Sequence, residues 1–227
     1  TYNYPRVWAL QAFFSPEIQN DVTKNDFPVF VKGEKLISLA DVRRAYYHHY
    51  QGTEHDPYFH KNPKEVYRPV AIFRATNTHI LQVRPELPKA IGEINYVALG
   101  MAALGIFIPL YQGVTSYPEA YSKGDHHCSE DSAYWILRKV QSLGMVNYNK
   151  YAPVIRDVYD RFEEEMHQRQ EEMEKDYLAL YPTHPIAAQE LLQNFSDKLL
   201  EDVLQVSRDL LNDLFTRLTI DVQAEYR

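Results

Sequence analysis

The sequence holds a single cysteine, Cys128, so no internal disulfide framework and no multi-cysteine zinc ribbon can be built from it. Cationic runs are missing too. No stretch of Lys or Arg exceeds two residues and the net charge is −7, so a phosphate backbone is repelled overall and no nucleic-acid partner is expected. Long apolar runs are also missing. The nearest, Ile94 to Tyr111, is broken by Asn95 and two glycines and runs out at Pro109 into a polar loop. A bilayer span needs about 20 apolar residues, so no membrane partner is expected. No secretory leader is expected: the chain opens Thr1-Tyr2-Asn3-Tyr4-Pro5 without an initiator methionine, and reads as a piece of something longer. With one thiol and no leader, the expected compartment is the cytoplasm. Glycine is scarce, at 8 residues, beside 18 tyrosines and 10 phenylalanines, which points to a core and clefts built from aromatic surface.

What is present is ordinary globular material, 45% hydrophobic and 24% charged. At 227 residues the chain buries about seven-tenths of its unfolded surface without a metal or disulfide staple. Val7, Leu10, Gln11 and Phe14 stripe a short helix over Pro5 to Phe14, stopped at Ser15-Pro16. Ser38 and Asp41 form a capping box that opens a helix through about Tyr50, with Gly52 as its stop. Two strands follow, Val66 to Val83 and Ile91 to Leu110, read as antiparallel neighbours, with Gly100 and Gly105 marking a bulge or tight bend. Beyond residue 128 the pattern is helical. One helix is capped by Ser129 or Ser132 and runs to about Leu143 with Gly144 just beyond. A second is opened by Pro153, with Val154, Val158, Phe162, Met166, Met173 and Tyr177 on one face and Glu, Gln and Arg on the other. A third runs from about Pro185 to Val222, with a break expected near Asn194-Phe195-Ser196. The fold class is α+β, helix-rich with a small antiparallel sheet: mixed over 1–125, helical over 126–227.

Several groups carry possible chemistry. His48, His49, His55 and His60 cluster beside Glu54 and Asp56, a donor set zinc accepts. Yet adjacent His48 and His49 diverge by about 100° on a helix, and the HExxH pattern is absent, so surface histidines explain the cluster more simply. Cys128 beside His126 and His127 is a candidate nucleophile, weighed against a half-buried structural cysteine. Thr1 is an N-terminal nucleophile only if a buried strand follows, and Tyr2 to Pro5 leads into a helix instead. Glu163-Glu164-Glu165 and Glu171-Glu172 read as a solvated helix face, and Met145, Met166 and Met173 as core fillers. Arg74 interrupts the apolar alternation in Phe73-Arg74-Ala75-Thr76-Asn77-Thr78-His79. It either blunts an edge strand or orients a carboxylate in a cleft.

An ordered set of runs carries a family resemblance: Tyr2-Asn3-Tyr4-Pro5-Arg6-Val7-Trp8, then Gly52-Thr53-Glu54-His55-Asp56-Pro57, then Tyr67-Arg68-Pro69. Arg74 with Thr78-His79-Ile80-Leu81-Gln82-Val83-Arg84 comes next, followed by Pro109-Leu110-Tyr111 and Ser132-Ala133-Tyr134-Trp135. Together they resemble the C-terminal half of the cysteine dipeptidases of the N-terminal-nucleophile hydrolase superfamily, relatives of choloylglycine hydrolase and penicillin V acylase. The resemblance implies a four-layer αββα fold and hydrolysis of dipeptides by an autocatalytically exposed N-terminal cysteine. It implies no metal and no organic cofactor. The nucleophile-bearing half is not in this sequence, and Cys128 does not match the family nucleophile's place at the start of a strand. By the resemblance, Arg74 is the catalytic residue carried over and Asn77 a substrate-binding group lining the cleft, while Asn3 and Arg6 default to structural roles.

The expectation is therefore a C-terminal fragment of one dipeptidase domain, inactive by itself, with dipeptides as the whole enzyme's substrates. A strand edge left open favours a homo-oligomer. Two rivals stand beside it: a helical oligomerisation or interaction module using the C-terminal apolar stripes, and a zinc-dependent hydrolase using the His48–His60 cluster.

Overall fold

A computed structural model describes residues 3–18, 20–59 and 67–226. Helix α1 (Tyr4–Phe14) has Pro5 in its first turn, where a missing N–H costs nothing. Helix α2 (Leu39–Tyr46) opens with the expected box: the Ser38 hydroxyl accepts from Asp41 N at 3.2 Å, and the Asp41 carboxylate accepts from Ser38 N at 3.0 Å. The helix ends four residues short of Tyr50, and the chain leaves it as a loop.

Strand β1 (Asn77–Val83), the four-residue helical turn α3 (Lys89–Gly92), and strands β2 (Glu93–Leu99) and β3 (Ile108–Tyr111) form one antiparallel sheet in the order β1-β2-β3. The register runs from Asn77 opposite Leu99 to Val83 opposite Glu93, and from Ile94 opposite Tyr111 to Val97 opposite Ile108. Two strand expectations need correction. Val66 lies outside the described residues, and 67–76 is loop with bends and a turn at Phe73-Arg74, closed by Ala75 N to Ile72 O at 3.0 Å, so only Asn77–Val83 of the first run is strand. The second run is two strands. Gly100 takes φ +78, and the Gln141 carboxamide fills the place of its absent Cβ, accepting from Met101 N at 2.9 Å and donating to Leu99 O at 2.7 Å. A single strand cannot pass through that bend.

Helices α4 (Ala133–Val146), α5 (Tyr148–Leu180) and α6 (Pro185–Glu225) cover one side. Ser132 stands at the cap position of α4, but its hydroxyl bonds Lys123 O at 2.8 Å. Gly144 lies inside α4 rather than beyond it, because Ile155 and Leu104 approach so closely that a Cβ there would meet their methyls at 2.7 and 2.9 Å. Pro153 does not open α5; Asn147 caps it, accepting from Lys150 N, and Pro153 sits in the second turn. Helix α6 is unbroken through Ser196, whose hydroxyl bonds Leu192 O at 2.8 Å within the helix.

The apolar stripes of α5 and α6 face the chain's own core. Tyr159, Phe162, Met166, Leu199, Val203, Leu210 and Leu214 pack together with Leu104, Ile106 and Ile108, while Met173, Tyr177, Ala188 and Leu192 cover Ile94, Tyr96, Ala98 and Tyr111. The interaction-module reading loses its surface, since those stripes are already buried. The other face of the sheet is covered unevenly: Ile108, opposite Val97, is buried in the core and Leu99 and Leu110 pack against it, but toward β1 Leu81 and Val83 are each 68% exposed and Asn95 and Val97 are only half-buried.

Candidate functional site

Three of the runs singled out above meet in space. Arg6 on α1 donates from Nε to the Arg68 carbonyl at 3.0 Å and from Nη1 to Asn3 Oδ1 at 3.3 Å, and the Tyr50 hydroxyl reaches the same carbonyl at 2.8 Å. Tyr50 is fully buried and holds φ 66, a left-handed backbone that a non-glycine residue adopts only when its surroundings impose it. What imposes it is local: Tyr50 N donates to His48 Nδ1 at 3.1 Å, and Thr53 bonds the Tyr50 carbonyl with both its amide and its hydroxyl. His55 is clasped between Trp8, ring centroids 6.0 Å apart, and Tyr67, at 4.6 Å. Its Nδ1 is buried and has no hydrogen-bond partner among the described residues. Burial pushes the Tyr50 phenol up to about 12, so it stays protonated and donates.

The same loop carries a second arrangement on its other side. His49 Nδ1 lies 2.9 Å from Asp56 Oδ1, and the Tyr148 hydroxyl lies 2.8 Å from His49 Nε2. Asp56 also accepts from the amides of Tyr58 at 2.9 Å and Phe59 at 3.3 Å. Burial pushes the Asp56 carboxyl up, but the His49 hydrogen bond and those two amides outweigh it and hold the group below the usual carboxylate range. An ionised Asp56 accepts from Nδ1–H, which leaves Nε2 to accept from Tyr148. Carboxylate, imidazole and hydroxyl stand in the order of a nucleophile triad. The hydroxyl here is a phenol, however, and burial first, then Asp56, pushes its ionisation upward. The arrangement ties the loop to the start of α5 rather than generating an oxyanion.

With both His49 nitrogens engaged and His48 Nδ1 accepting from Tyr50, the cluster does not converge on a metal. His60 lies outside the described residues. Among the described residues, the one grouping of three His, Cys, Asp or Glu donors is Asp125, His126 and His127, elsewhere in the chain. The zinc-hydrolase reading of His48–His60 therefore finds no support.

Two further polar centres, one buried and one half-buried, join α5 to the sheet and to α2. Glu163, only 5% exposed, accepts from Phe107 N at 2.8 Å and from the Tyr47 hydroxyl at 3.2 Å, with Arg43 at 3.6 Å and Arg156 at 3.9 Å. Burial raises its ionisation, and the two guanidiniums pull against that rise. Glu174 takes a bidentate pair from Arg84, both contacts 2.7 Å, and a third bond from the Tyr111 hydroxyl at 2.7 Å. The reading of Glu163 as part of a solvated face is overturned. Tyr159, Glu163, Met166, Gln170, Met173 and Tyr177 are all buried at alternating four- and three-residue steps, and that period was visible in the sequence.

Arg74 lies in an exposed turn ahead of β1, not within a strand, and Asn77 is the exposed first residue of β1. Asn77 stands on the sheet's edge strand and Arg74 three residues ahead of it, and among the described residues neither forms a side-chain hydrogen bond or ion pair. Cys128 is exposed rather than half-buried and lies four residues ahead of the α4 cap position, away from the helix terminus. Thr1 lies outside the described residues.

Peptidase family C69 matches residues 1–161, and the chain belongs to that family. The relatives it resembles are more particular. It is 50% identical over 125 residues to a probable dipeptidase of Salmonella dublin, covering 55% of this chain and 29% of that protein. It is 28% identical over 228 residues to Dipeptidase A of Lactobacillus helveticus, covering 97% of this chain and 44% of the relative. To a probable dipeptidase A of Streptococcus pyogenes serotype M3 it is 33% identical over 153 residues, covering 66% and 33% respectively. The chain thus spans less than half the length of these relatives. Among the described residues, no helix is long and apolar enough to cross a membrane.

Proposed function

We propose that this chain is the C-terminal portion of a cytoplasmic cysteine dipeptidase, and that the N-terminal cysteine nucleophile belongs to the part of the relatives it does not span. The observation that carries this is the match to dipeptidases more than twice as long, running over 97% of this chain in one of them. In the whole enzyme the thiolate attacks the peptide carbonyl, and the departing nitrogen takes a proton and leaves as the amine. Water then cleaves the thioester to release the second amino acid, with the freed α-amine of the cysteine as base. Arg74 is the group proposed to orient substrate or steady developing negative charge there, and Asn77 to line the same cleft. Their exposure, and the lack of side-chain hydrogen bonds or ion pairs to either among the described residues, support that role.

The partly uncovered second face of the sheet supports a further layer. Leu81 and Val83 project from the part of that face left open, and an open trough of about 440 Å³ runs past Glu93, Asn95 and Leu110. Asn95 Oδ1 is buried there without a partner among the described residues. A second sheet stacked on this face would complete the αββα order.

The test is hydrolysis of a mixed dipeptide panel by the purified chain, with and without a thiol alkylator. No turnover is expected in either case. Turnover abolished by alkylation would move the nucleophile to Cys128 and overturn the proposal, and turnover that survives alkylation would overturn it in favour of a different chemistry.

A further inference from the structure

The segment between β3 and α4 holds a donor set that the peptide chemistry does not use. Asp125, His126 and His127 each offer one ligand atom, and these atoms all lie within 4.8 Å of one another. The two imidazole rings sit side by side with centroids 3.8 Å apart, and Asp125 Oδ1 lies 3.7 Å from His127 Nδ1. The segment is anchored at several points. The Asp125 carboxylate accepts from His127 N at 2.7 Å, Trp135 Nε1 donates to the Asp125 carbonyl at 3.0 Å, and the Ser132 hydroxyl bonds Lys123 O at 2.8 Å. The neighbouring cations are spoken for: Lys123 pairs with Glu119, and Lys139 with Glu130. No lysine or arginine is paired with Asp125 among the described residues, and a chain of net charge −7 draws cations toward it.

We propose that Asp125, His126 and His127 form a surface site for a divalent transition-metal ion. Two imidazoles and one carboxylate are the donor set that zinc, nickel and copper(II) accept, and three protein ligands leave the remaining positions to water. The hard cations calcium and magnesium require oxygen ligands and are excluded by the same chemistry. Because Trp135 of α4 grips the Asp125 carbonyl, an ion held here fastens the 123–131 segment onto the start of α4. The site lies apart from the Arg6, Tyr50 and His55 cluster and requires nothing of the dipeptidase reading.

The experiment uses the full chain, stripped with chelator and titrated calorimetrically with zinc chloride. One equivalent is expected to bind saturably. The variants His126→Ala and His127→Ala each weaken it by about tenfold or more, while Cys128→Ser leaves it in place. The side chains of His127 and Asp125 are 76% and 67% exposed, so folding is not at risk, and unchanged far-UV circular dichroism checks that. On the unmodified chain, substoichiometric copper(II) should broaden two histidine ring resonances and quench Trp135 fluorescence. Absence of saturable binding, binding retained in the doubly substituted His126→Ala/His127→Ala chain, or loss on Cys128→Ser alone would each overturn the site.

Discussion

His48 illustrates how a single residue sets a pH response. Burial first, and then the neighbouring His49, pulls its ionisation down to about 4. A histidine in the unfolded chain titrates near 6.5, so between roughly pH 6.5 and 4 the unfolded state binds more protons than the folded one. Stability therefore rises with pH across that window and is lost as pH falls through it. The urea midpoint is expected to drop between pH 7 and 5, and His48→Gln to flatten that drop. Asp56 adds a loss at lower pH, since its carboxyl is held below its ordinary value and its contribution disappears once it is protonated. Removing that carboxyl strands His49 Nδ1 and two amides, so Asp56→Ala is expected to cost roughly 3 kcal/mol and Tyr148→Phe about 1 kcal/mol, read as shifts in the urea midpoint. At this scale the sequence was half-legible. The cluster of histidines stood out, but which of them pairs with Asp56 and which packs on Trp8 depends on a left-handed turn at Tyr50 that no spacing rule announces.

Elements were legible where local chemistry decided them. The Ser38–Asp41 box opens α2 as its residues dictate, and Tyr4–Phe14 is helix as expected, although Pro5 and Ala9 are its buried residues while the expected stripe is only half-buried. They were illegible where a distant side chain decided. Gly144 looks like a helix stop, and only the approach of Ile155 and Leu104 shows it to be a packing position. The two roles predict opposite results. At a stop Gly144→Ala would be neutral or better, whereas here it is expected to destabilise by about 1–3 kcal/mol in thermal or urea unfolding, because the new methyl must displace two others. Gly100 likewise split one expected strand into two through Gln141, 41 positions along the chain. The proline in α5 misled in the other direction, since Asn147 had already capped the helix and Pro153 forfeits only one interior hydrogen bond.

For the molecule as a whole, the consequence of leaving the β1 side of one sheet face uncovered is exposed apolar area. Leu81 and Val83 on β1 form the accessible part of that face, and β1 and β3 are the two edges of a three-stranded sheet. Association is the usual remedy, so light scattering at micromolar concentration is expected to find dimers or larger species, and Leu81→Lys with Val83→Lys to shift them to monomer. A wild-type monomer would count against the missing-layer reading. The fold class could be read from composition and period. The uneven cover could not, because Leu81 and Val83 look like any alternating strand residues until the helical core is seen to reach Ile108 and stop short of β1.

Helix α5 carries one more consequence. Its two inward carboxylates, buried Glu163 and half-buried Glu174, are eleven residues apart, which is about three turns and roughly 16 Å of rise, so both point the same way. One meets an amide of the chain just ahead of β3, the other the hydroxyl at that strand's end. The helix is thus keyed to the sheet at two notches. It tolerates exchanges of the exposed residues between the notches, but one residue added or removed there would swing one key about 100° out of its slot while the other stayed home.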